Sequence, residues 1–223
     1  MNVGRDAFTT SIFSNGKILV AGGSNAGYVK DTEFYDPSTN TWTVTGNLNT
    51  ARWRHTASIL ANGSVLVVGG EFNGIYLNSV ELYNQSTGNL NVARSFHTAS
   101  MLSNGSVLVV GGQGSSGYLT STELYDPLTN TWTITASMTT TRYKHTASVL
   151  SDGSVLVTGG QSSSGVYFKS TELYNPLRNT WAISVNMNVA RCSHAAISLS
   201  NGKILVAGGY NSTTSLKSVE LLN

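Results

Sequence analysis

The chain has 223 residues, 40% of them hydrophobic and only 11% charged, a composition that describes a packed globular protein with Ser, Thr and Asn in place of charge at its surface. Its 13 basic and 11 acidic side chains set up no field that would make nucleic acid or an anionic membrane the partner. No apolar run nears the roughly 20 residues that span a bilayer, Met1 opens without the basic and apolar regions of a secretion signal, and the single cysteine, Cys192, excludes an intramolecular disulfide.

In chain order, residues 4–23 form a first, divergent copy of a stretch that returns as "ARWRHTASILANGSVLVVGG" at 51–70, and again at 93–112, 141–160 and 190–209. Each copy ends on a diglycine, Gly22-Gly23, Gly69-Gly70, Gly111-Gly112, Gly159-Gly160 and Gly208-Gly209, at intervals of 47, 42, 48 and 49 residues. Such a period marks a repeat architecture in which one unit cannot bury its own faces. Within a unit, "HTASIL" and "SVLVVGG" predict strands a and b. The dipeptides Asn15-Gly16, Asn62-Gly63, Asn104-Gly105, Asp152-Gly153 and Asn201-Gly202 between them predict type I′ hairpin turns. A variable loop follows the diglycine, then "STELYDP" as strand c, a turn at Asp36-Pro37 or Asp126-Pro127, and "TWTVT" or "TWTIT" as strand d. No segment predicts a helix.

Four-stranded units of this length predict an all-β propeller of five blades, near 5–49, 50–91, 92–139, 140–188 and 189–223, in a single domain over 1–223. Two blades are expected to fall short. Between Thr87 and Gly88 the second unit lacks a counterpart of Asn40 through Thr45, so its outer strand should be vestigial. The fifth unit reaches Asn223 after a strand c, so blades two and five are expected to be three-stranded. A segment of an open, larger ring is the alternative. With those strands missing, the edges near Val80 to Asn84 and Ser215 to Asn223 are expected to lead to self-association or to completion by an external strand.

The diglycine after an apolar strand, the tyrosines at 35, 83, 125 and 174 in "EFYDP" or "ELY", and the spaced Trp42, Trp132 and Trp181 resemble Kelch repeats over essentially the whole chain. The variant with "AR", "HTA" and "NG" at these spacings is similar to the tandem Kelch repeats of bacterial and some invertebrate secreted or surface proteins. The resemblance implies that the d-to-a loops and the loops after the diglycines open on one face around a central channel, where partners bind.

A residue present in every copy is explained first by what every copy shares, which is the fold. That assigns Arg5, Arg52, Arg94, Arg142 and Arg191, with Glu33, Glu81, Glu123, Glu172 and Glu220, to structural charge pairs or backbone anchors. His55, His97, His145 and His194 share one position, occupied by Phe8 in the first unit, and predict a packed slot rather than a metal ring, whose ligands must converge at about 2 Å. The diglycines precede no helix and no GK(S/T) motif, so they predict close backbone approach rather than phosphate binding. Some Kelch propellers are copper oxidases with a cysteine-linked tyrosine, but Cys192 lies in one repeat loop without an odd tyrosine-histidine pair. No carboxylate pair stands outside the repeats as acid and base. No cofactor or metal is expected.

What varies is the pair after each repeat arginine: Asp6-Ala7, Trp53-Arg54, Ser95-Phe96, Tyr143-Lys144 and Cys192-Ser193. The residues after the diglycines vary too: Ser24, Glu71, Gln113, Gln161 and Tyr210. Trp53, Arg54, Phe96, Tyr143, Lys144, Glu71, Gln113, Gln161 and Tyr210 are therefore the candidate ligand-binding residues, since aromatics and arginine dominate binding hot spots and loops on rigid scaffolds carry function. The expected function is non-enzymatic binding of a protein or peptide. A glycan stacked on the same aromatics, with Gln113 and Gln161 bonding its hydroxyls, is the alternative. Sequons at Asn62, Asn84, Asn104 and Asn211 are compatible with secretion, although Asn62 and Asn104 already have a role in their hairpins.

Overall fold

Each repeat unit folds into its own antiparallel sheet, and no helix occurs among the described residues. The computed structural model describes residues 1–83 and 85–222, with the backbone alone at 85 and 86. Blade one is β1 (Thr9–Ile12), β2 (Ile18–Ala21), β3 (Thr32–Asp36) and β4 (Thr41–Val44). Blade two is β5 (Thr56–Ile59) and β6 (Val65–Val68), a small hairpin of β7 (Glu71–Phe72) and β8 (Ile75–Tyr76), then β9 (Val80–Leu82) and β10 (Gln85–Ser86). Blade three repeats this plan with β11 (Thr98–Met101), β12 (Val107–Val110), the hairpin β13 (Gln113–Gly114) and β14 (Gly117–Tyr118), β15 (Thr122–Asp126) and β16 (Thr131–Ile134). Blade four is β17 (Thr146–Val149), β18 (Val155–Thr158), β19 (Thr171–Asn175) and β20 (Thr180–Ile183). Blade five is β21 (Ala195–Ser198), β22 (Ile204–Ala207) and β23 (Val219–Leu222). The fold is a five-bladed β-propeller in which some blades carry fewer strands.

Blade five has three strands, as expected. Blade two keeps a vestige of its fourth, because β10 pairs Gln85 with Leu82 and Ser86 with Glu81. The edge expected to be open there is thus covered at Glu81 and Leu82. Asn84 and Asn223, which closed the two expected edges, lie outside the described residues, as does the sequon at Asn84.

The blades group into two compact units, residues 1–95 with 126–132, and residues 96–125 with 133–223. In the first, Leu19 and Leu48 pack on Val65 and Val67, flanked by Phe13, Phe34, Ala57 and Ile59. In the second, Leu108 and Val110 pack on Val155, Val157 and Tyr174, and Leu156 packs on Ile204, Val206 and Leu222. Alternation along each strand therefore sends one row of apolar side chains forward and the next row back, and within each unit these layers are a front face closed by the following blade's back face.

The a-to-b hairpins differ from the expected type. A type I′ turn needs positive φ at both central residues, yet of Asn62 and Gly63 only Gly63 is left-handed, at 81°. Gly63 N–H donates to Leu60 O at 2.9 Å and Leu60 N–H to Ser64 O at 2.8 Å, the pattern of a type I turn closed by a glycine bulge. The asparagine side chain favours this form, since Asn62 Oδ1 accepts the Ser64 N–H at 3.0 Å. Asn15, Asn104, Asp152 and Asn201 do the same for Lys17, Ser106, Ser154 and Lys203.

The diglycines allow close approach. A Cβ on Gly159 would sit 2.5 Å from Arg191 O and 2.9 Å from His194 Cε1 of the next blade, and one on Gly160 would sit 2.9 Å from His145 Cβ of its own. Bare backbone lets Gly160 N–H donate to Arg191 O at 2.9 Å, as Gly23, Gly70 and Gly112 donate to Arg52, Arg94 and Arg142, each at 2.8 Å.

The repeat arginines and glutamates form buried clamps inside blades. Arg142 donates to Gly159 O at 2.8 Å and Ser170 O at 3.0 Å through Nη1, and from Nε to Glu172 at 3.1 Å. Glu172 also accepts the Thr139 N–H at 2.6 Å. Arg5–Glu33, Arg52–Glu81 and Arg191–Glu220 repeat the pairing at 2.9, 2.6 and 2.5 Å. Burial alone would raise the Glu33 carboxyl, but the Asn2 and Val3 N–H groups and the Arg5 guanidinium outweigh it and hold its pKa below the usual range.

Removing one partner of such a pair leaves a buried charge uncompensated. Arg142→Ala should therefore cost about 3–5 kcal/mol in denaturant unfolding. Lys17→Ala, which breaks the exposed pair with Asp36 at 3.2 Å, should leave the midpoint nearly unchanged. Equal midpoint shifts in the two variants would contradict the clamp's role.

Candidate functional site

The two sets of variable loops are parts of one small structure in most blades. The first residue after the repeat arginine pairs with the residue after the diglycine: Asp6 with Ser24, Trp53 with Glu71, Tyr143 with Gln161, Cys192 with Tyr210. In blade two the bonds run Trp53 N–H to Glu71 O at 3.2 Å and Glu71 N–H to Trp53 O at 3.0 Å. The residue after the diglycine pairs in turn with a loop residue further on: Tyr28, Tyr76, Tyr118, Tyr167 or Ser215.

The second residue of each variable pair is left-handed in all five copies: Ala7 (φ 47°), Arg54 (54°), Phe96 (54°), Lys144 (55°) and Ser193 (50°). That conformation costs a non-glycine residue roughly 1–2 kcal/mol, and the blade-to-blade bonds it permits offset the strain. Arg54 N–H donates to Ala7 O at 3.2 Å, Lys144 N–H to Phe96 O at 3.4 Å, and Ser193 N–H to Lys144 O at 2.9 Å. Because backbone alone makes these bonds, the side chains are free to differ from blade to blade.

In the first unit the Arg54 guanidinium lies 3.5 Å from the Trp53 ring centroid and 3.7 Å from the Glu71 carboxylate. Tyr28 meets Trp53 edge-on at 6.0 Å and Phe72 at 5.2 Å. In the second unit Tyr143 stacks on Tyr118 at 4.2 Å and meets Phe96 edge-on at 5.7 Å. Lys144 Nζ lies 5.1 Å from the Tyr143 centroid and 5.2 Å from that of Phe96. Tyr143 is only 9% exposed. Burial first, and then Tyr118, push its phenol pKa upward, and its O–H donates to Gln161 Oε1 at 3.1 Å. Tyr143 is therefore a platform beneath Lys144. Gln113 is half-buried opposite Tyr118, and Tyr210 stands exposed beside Tyr167 at 5.9 Å.

The sequence-predicted residues thus fall into two clusters, Trp53, Arg54 and Glu71 in the first unit and the others in the second. Tyr28, Phe72, Tyr118 and Tyr167 belong to these clusters without having been singled out. Their signal is a tyrosine that recurs in the post-diglycine loops of blades one to four as Tyr28, Tyr76, Tyr118 and Tyr167, obscured by loop-length differences.

The histidines are committed to threonines. His55 Nε2 bonds Thr9 Oγ1 at 2.9 Å, His145 Nε2 bonds Thr98 Oγ1 at 3.0 Å, and His194 Nε2 bonds Thr146 and Thr158 at 2.9 and 3.0 Å. All four rings are buried, whereas Phe8, expected in the same packed slot, is 37% exposed. Cys192 is buried, and its blade partner is the backbone of Tyr210.

The Kelch motif family model matches residues 7–49, 94–139, 142–188 and 191–223, and the chain belongs to the Kelch-repeat family. Residues 50–93, the blade that lacks the tryptophan strand, fall outside the match. No curated protein matches the chain in sequence. Among solved structures, "Structure of YjhT" superposes with a TM-score of 0.78 over 98% of this chain and 84% of its own, at 14% identity, a likeness of fold.

Burial first, and then the charge of a neighbouring arginine, push the His55 and His145 pKa values down to about 3 and that of His194 to about 4. Unfolded histidines titrate near 6.5, so below that pH the unfolded chain takes up protons that the folded chain refuses. Stability should be complete above pH 6.5 and fall as pH drops toward 4, by up to about 1.4 kcal/mol per pH unit for each histidine. Thermal unfolding from pH 7 to 4.5 should show this slope, and His145→Phe should make it shallower. A flat native profile would contradict the assignment.

Proposed function

We propose that this protein is a non-enzymatic interaction module that binds an extended peptide or protein surface through its variable loops. The observation that carries the proposal is the cation held against aromatic rings on a hydrogen-bonded backbone in each unit, Arg54 on Trp53 and Lys144 beside Tyr143 and Phe96. Such groups lose little freedom on binding and offer flat apolar area together with charge to carboxylates and peptide carbonyls. The exposed Tyr28, Phe72 and Tyr210 extend the apolar area.

Glycan stacking, the alternative, needs an open aromatic face. One face of Trp53 is taken by Arg54, and Tyr143 is buried against Tyr118. Against oxidase chemistry stand the two threonine hydroxyls bonded to His194 Nε2. The edge strand β23 is a second docking element in this proposal, open to backbone pairing with an extended strand of another chain.

A displayed peptide library and a glycan array, both probed with the native protein, test the proposal. For the tightest peptide found, Trp53→Ala and Lys144→Ala should each weaken binding about tenfold or more, the signature of a hot-spot residue losing over 1 kcal/mol. Lys144→Ala should leave the unfolding midpoint within about 0.5 kcal/mol of native. Glycan binding without any peptide binder would replace this function with the lectin one, and unchanged peptide affinity would sink the site.

A further inference from the structure

Asn-Gly occurs five times in the chain, at 15–16, 62–63, 73–74, 104–105 and 201–202. The pair is chemically labile, because a glycine amide has no side chain to shield it from the neighbouring carboxamide. Whether it reacts depends on what holds its two reacting groups, the Asn side chain and the Gly N–H. In four of the five both are held. Gly16, Gly63, Gly105 and Gly202 donate their N–H to the carbonyls of Phe13, Leu60, Leu102 and Leu199 at 2.9, 2.9, 2.9 and 3.0 Å. The Oδ1 atoms of Asn15, Asn62, Asn104 and Asn201 accept the N–H two residues on at 3.1, 3.0, 3.0 and 3.2 Å.

Asn73-Gly74 is built differently. It joins β7 to β8, with Phe72 opposite Ile75, and both its residues are left-handed, at φ 52° and 78°, as a two-residue type I′ turn requires. Among the described residues neither the Asn73 side chain nor the Gly74 N–H has a hydrogen-bond partner. Both residues are exposed, and a Cβ placed on Gly74 would meet nothing within 4 Å, so solvent base reaches the amide. The other post-diglycine loops hold no Asn-Gly. Their asparagines are tied down: Asn25 Oδ1 accepts the Gly27 N–H at 3.3 Å, and Asn211 Oδ1 accepts those of Thr213 and Thr214 at 3.0 and 2.9 Å.

We propose that Asn73 is a site of spontaneous deamidation, which rebuilds the β7–β8 hairpin of the loop cluster as the protein ages. The Gly74 amide nitrogen, having given its proton to solvent base, attacks Asn73 Cγ. The N–Cγ bond forms, the Cγ–Nδ2 bond breaks, and the amide group leaves as ammonia with a proton returned by water. The resulting succinimide takes up one water at either carbonyl and opens to aspartate or isoaspartate at position 73. Nothing is oxidised or reduced. Aspartate keeps the type I′ turn, since Asp-Gly suits it as Asn-Gly does. Isoaspartate carries an additional methylene in the main chain, which a two-residue turn has no room for. The Phe72–Ile75 and Glu71–Tyr76 pairs then come apart, and Phe72 leaves its edge contact with Tyr28 at 5.2 Å. The chemistry depends on the turn alone and stands whether or not the loops bind a peptide.

Peptide mass mapping of the full chain, held folded in warm, mildly alkaline buffer, tests this. Conversion at Asn73 should run at least about tenfold faster than at Asn15, Asn62, Asn104 or Asn201, because those four must first break two hydrogen bonds. In denaturant the five should convert at similar rates. Asn73→Gln should fold as the native chain does and lose the fast conversion, since its longer side chain closes the ring slowly. Hydrogen exchange over residues 71–76 should be faster in the isoaspartate form than in Asn73→Asp, which carries the same charge on an unaltered backbone. Conversion at Asn73 no faster than at the other four in the folded chain overturns the proposal. A preference for Asn73 that survives unfolding also overturns it, and assigns the preference to local sequence. Equal exchange in the isoaspartate form and in Asn73→Asp overturns the rebuilding of the hairpin.

Discussion

The buried arginine that opens each blade is the interaction on which the rest of the structure depends. It sits where chain enters from the previous blade, and its planar fork reaches three places at once. In blade four, Arg142 holds the carbonyl of the first diglycine residue, the carbonyl of Ser170 before β19, and the Glu172 carboxylate, which itself holds the incoming backbone at Thr139. A lysine could not satisfy that set, because a single ammonium cannot present donors in two directions along a plane. Charge burial of this kind is costly and is sustained only where nearly every donor is met. It therefore fixes the relative position of the entering chain, the b-strand terminus and strand c more tightly than apolar packing would.

That fixity sets the character of the loop face. With the arginine backbone carbonyl bonded to the preceding blade's glycine and the left-handed residue two positions later bonded to a neighbouring blade, the backbone of the intervening residue is held from both sides. Scaffold and variable chemistry are thus neighbours along the chain: Arg52 is wholly buried, and Trp53 and Arg54, directly after it, are half-buried. Rigid backbone under variable side chains suits binding, since little ordering entropy remains to oppose association.

Much of this was legible from repetition. The arginines, glutamates and histidines could be assigned to the scaffold because one spatial role recurs wherever one residue recurs, and the diglycines because bare backbone at a strand end implies close approach. The turn type was not legible. Asn-Gly suits two hairpin geometries, and the choice fell to a local side-chain bond from Asn62 to the Ser64 amide. The tyrosine series of the post-diglycine loops was obscured by loops of unequal length, although each member pairs with the residue that follows its own diglycine. That blade two keeps only a vestige of its outer strand was legible from the shortened repeat, but the place of β10 was not, because its pairing comes from the neighbouring β9 rather than from any β-forming pattern of its own.

The sequence by itself determined the all-β repeat, the clamp residues and the places where chemistry can vary, since all of these follow from periodicity and from the local preferences of glycine, asparagine and β-branched residues. Only the tertiary structure decided which variable residues stand exposed and which support others. Tyr143 and Tyr210 are both aromatic loop residues beside a strand end, yet one is buried under a stacked tyrosine and the other stands open. The physical reason is that exposure is set by neighbours distant in sequence. Tyr143 lies between Tyr118, from the preceding blade's loop, and Gln161 of its own, and no local pattern encodes that convergence.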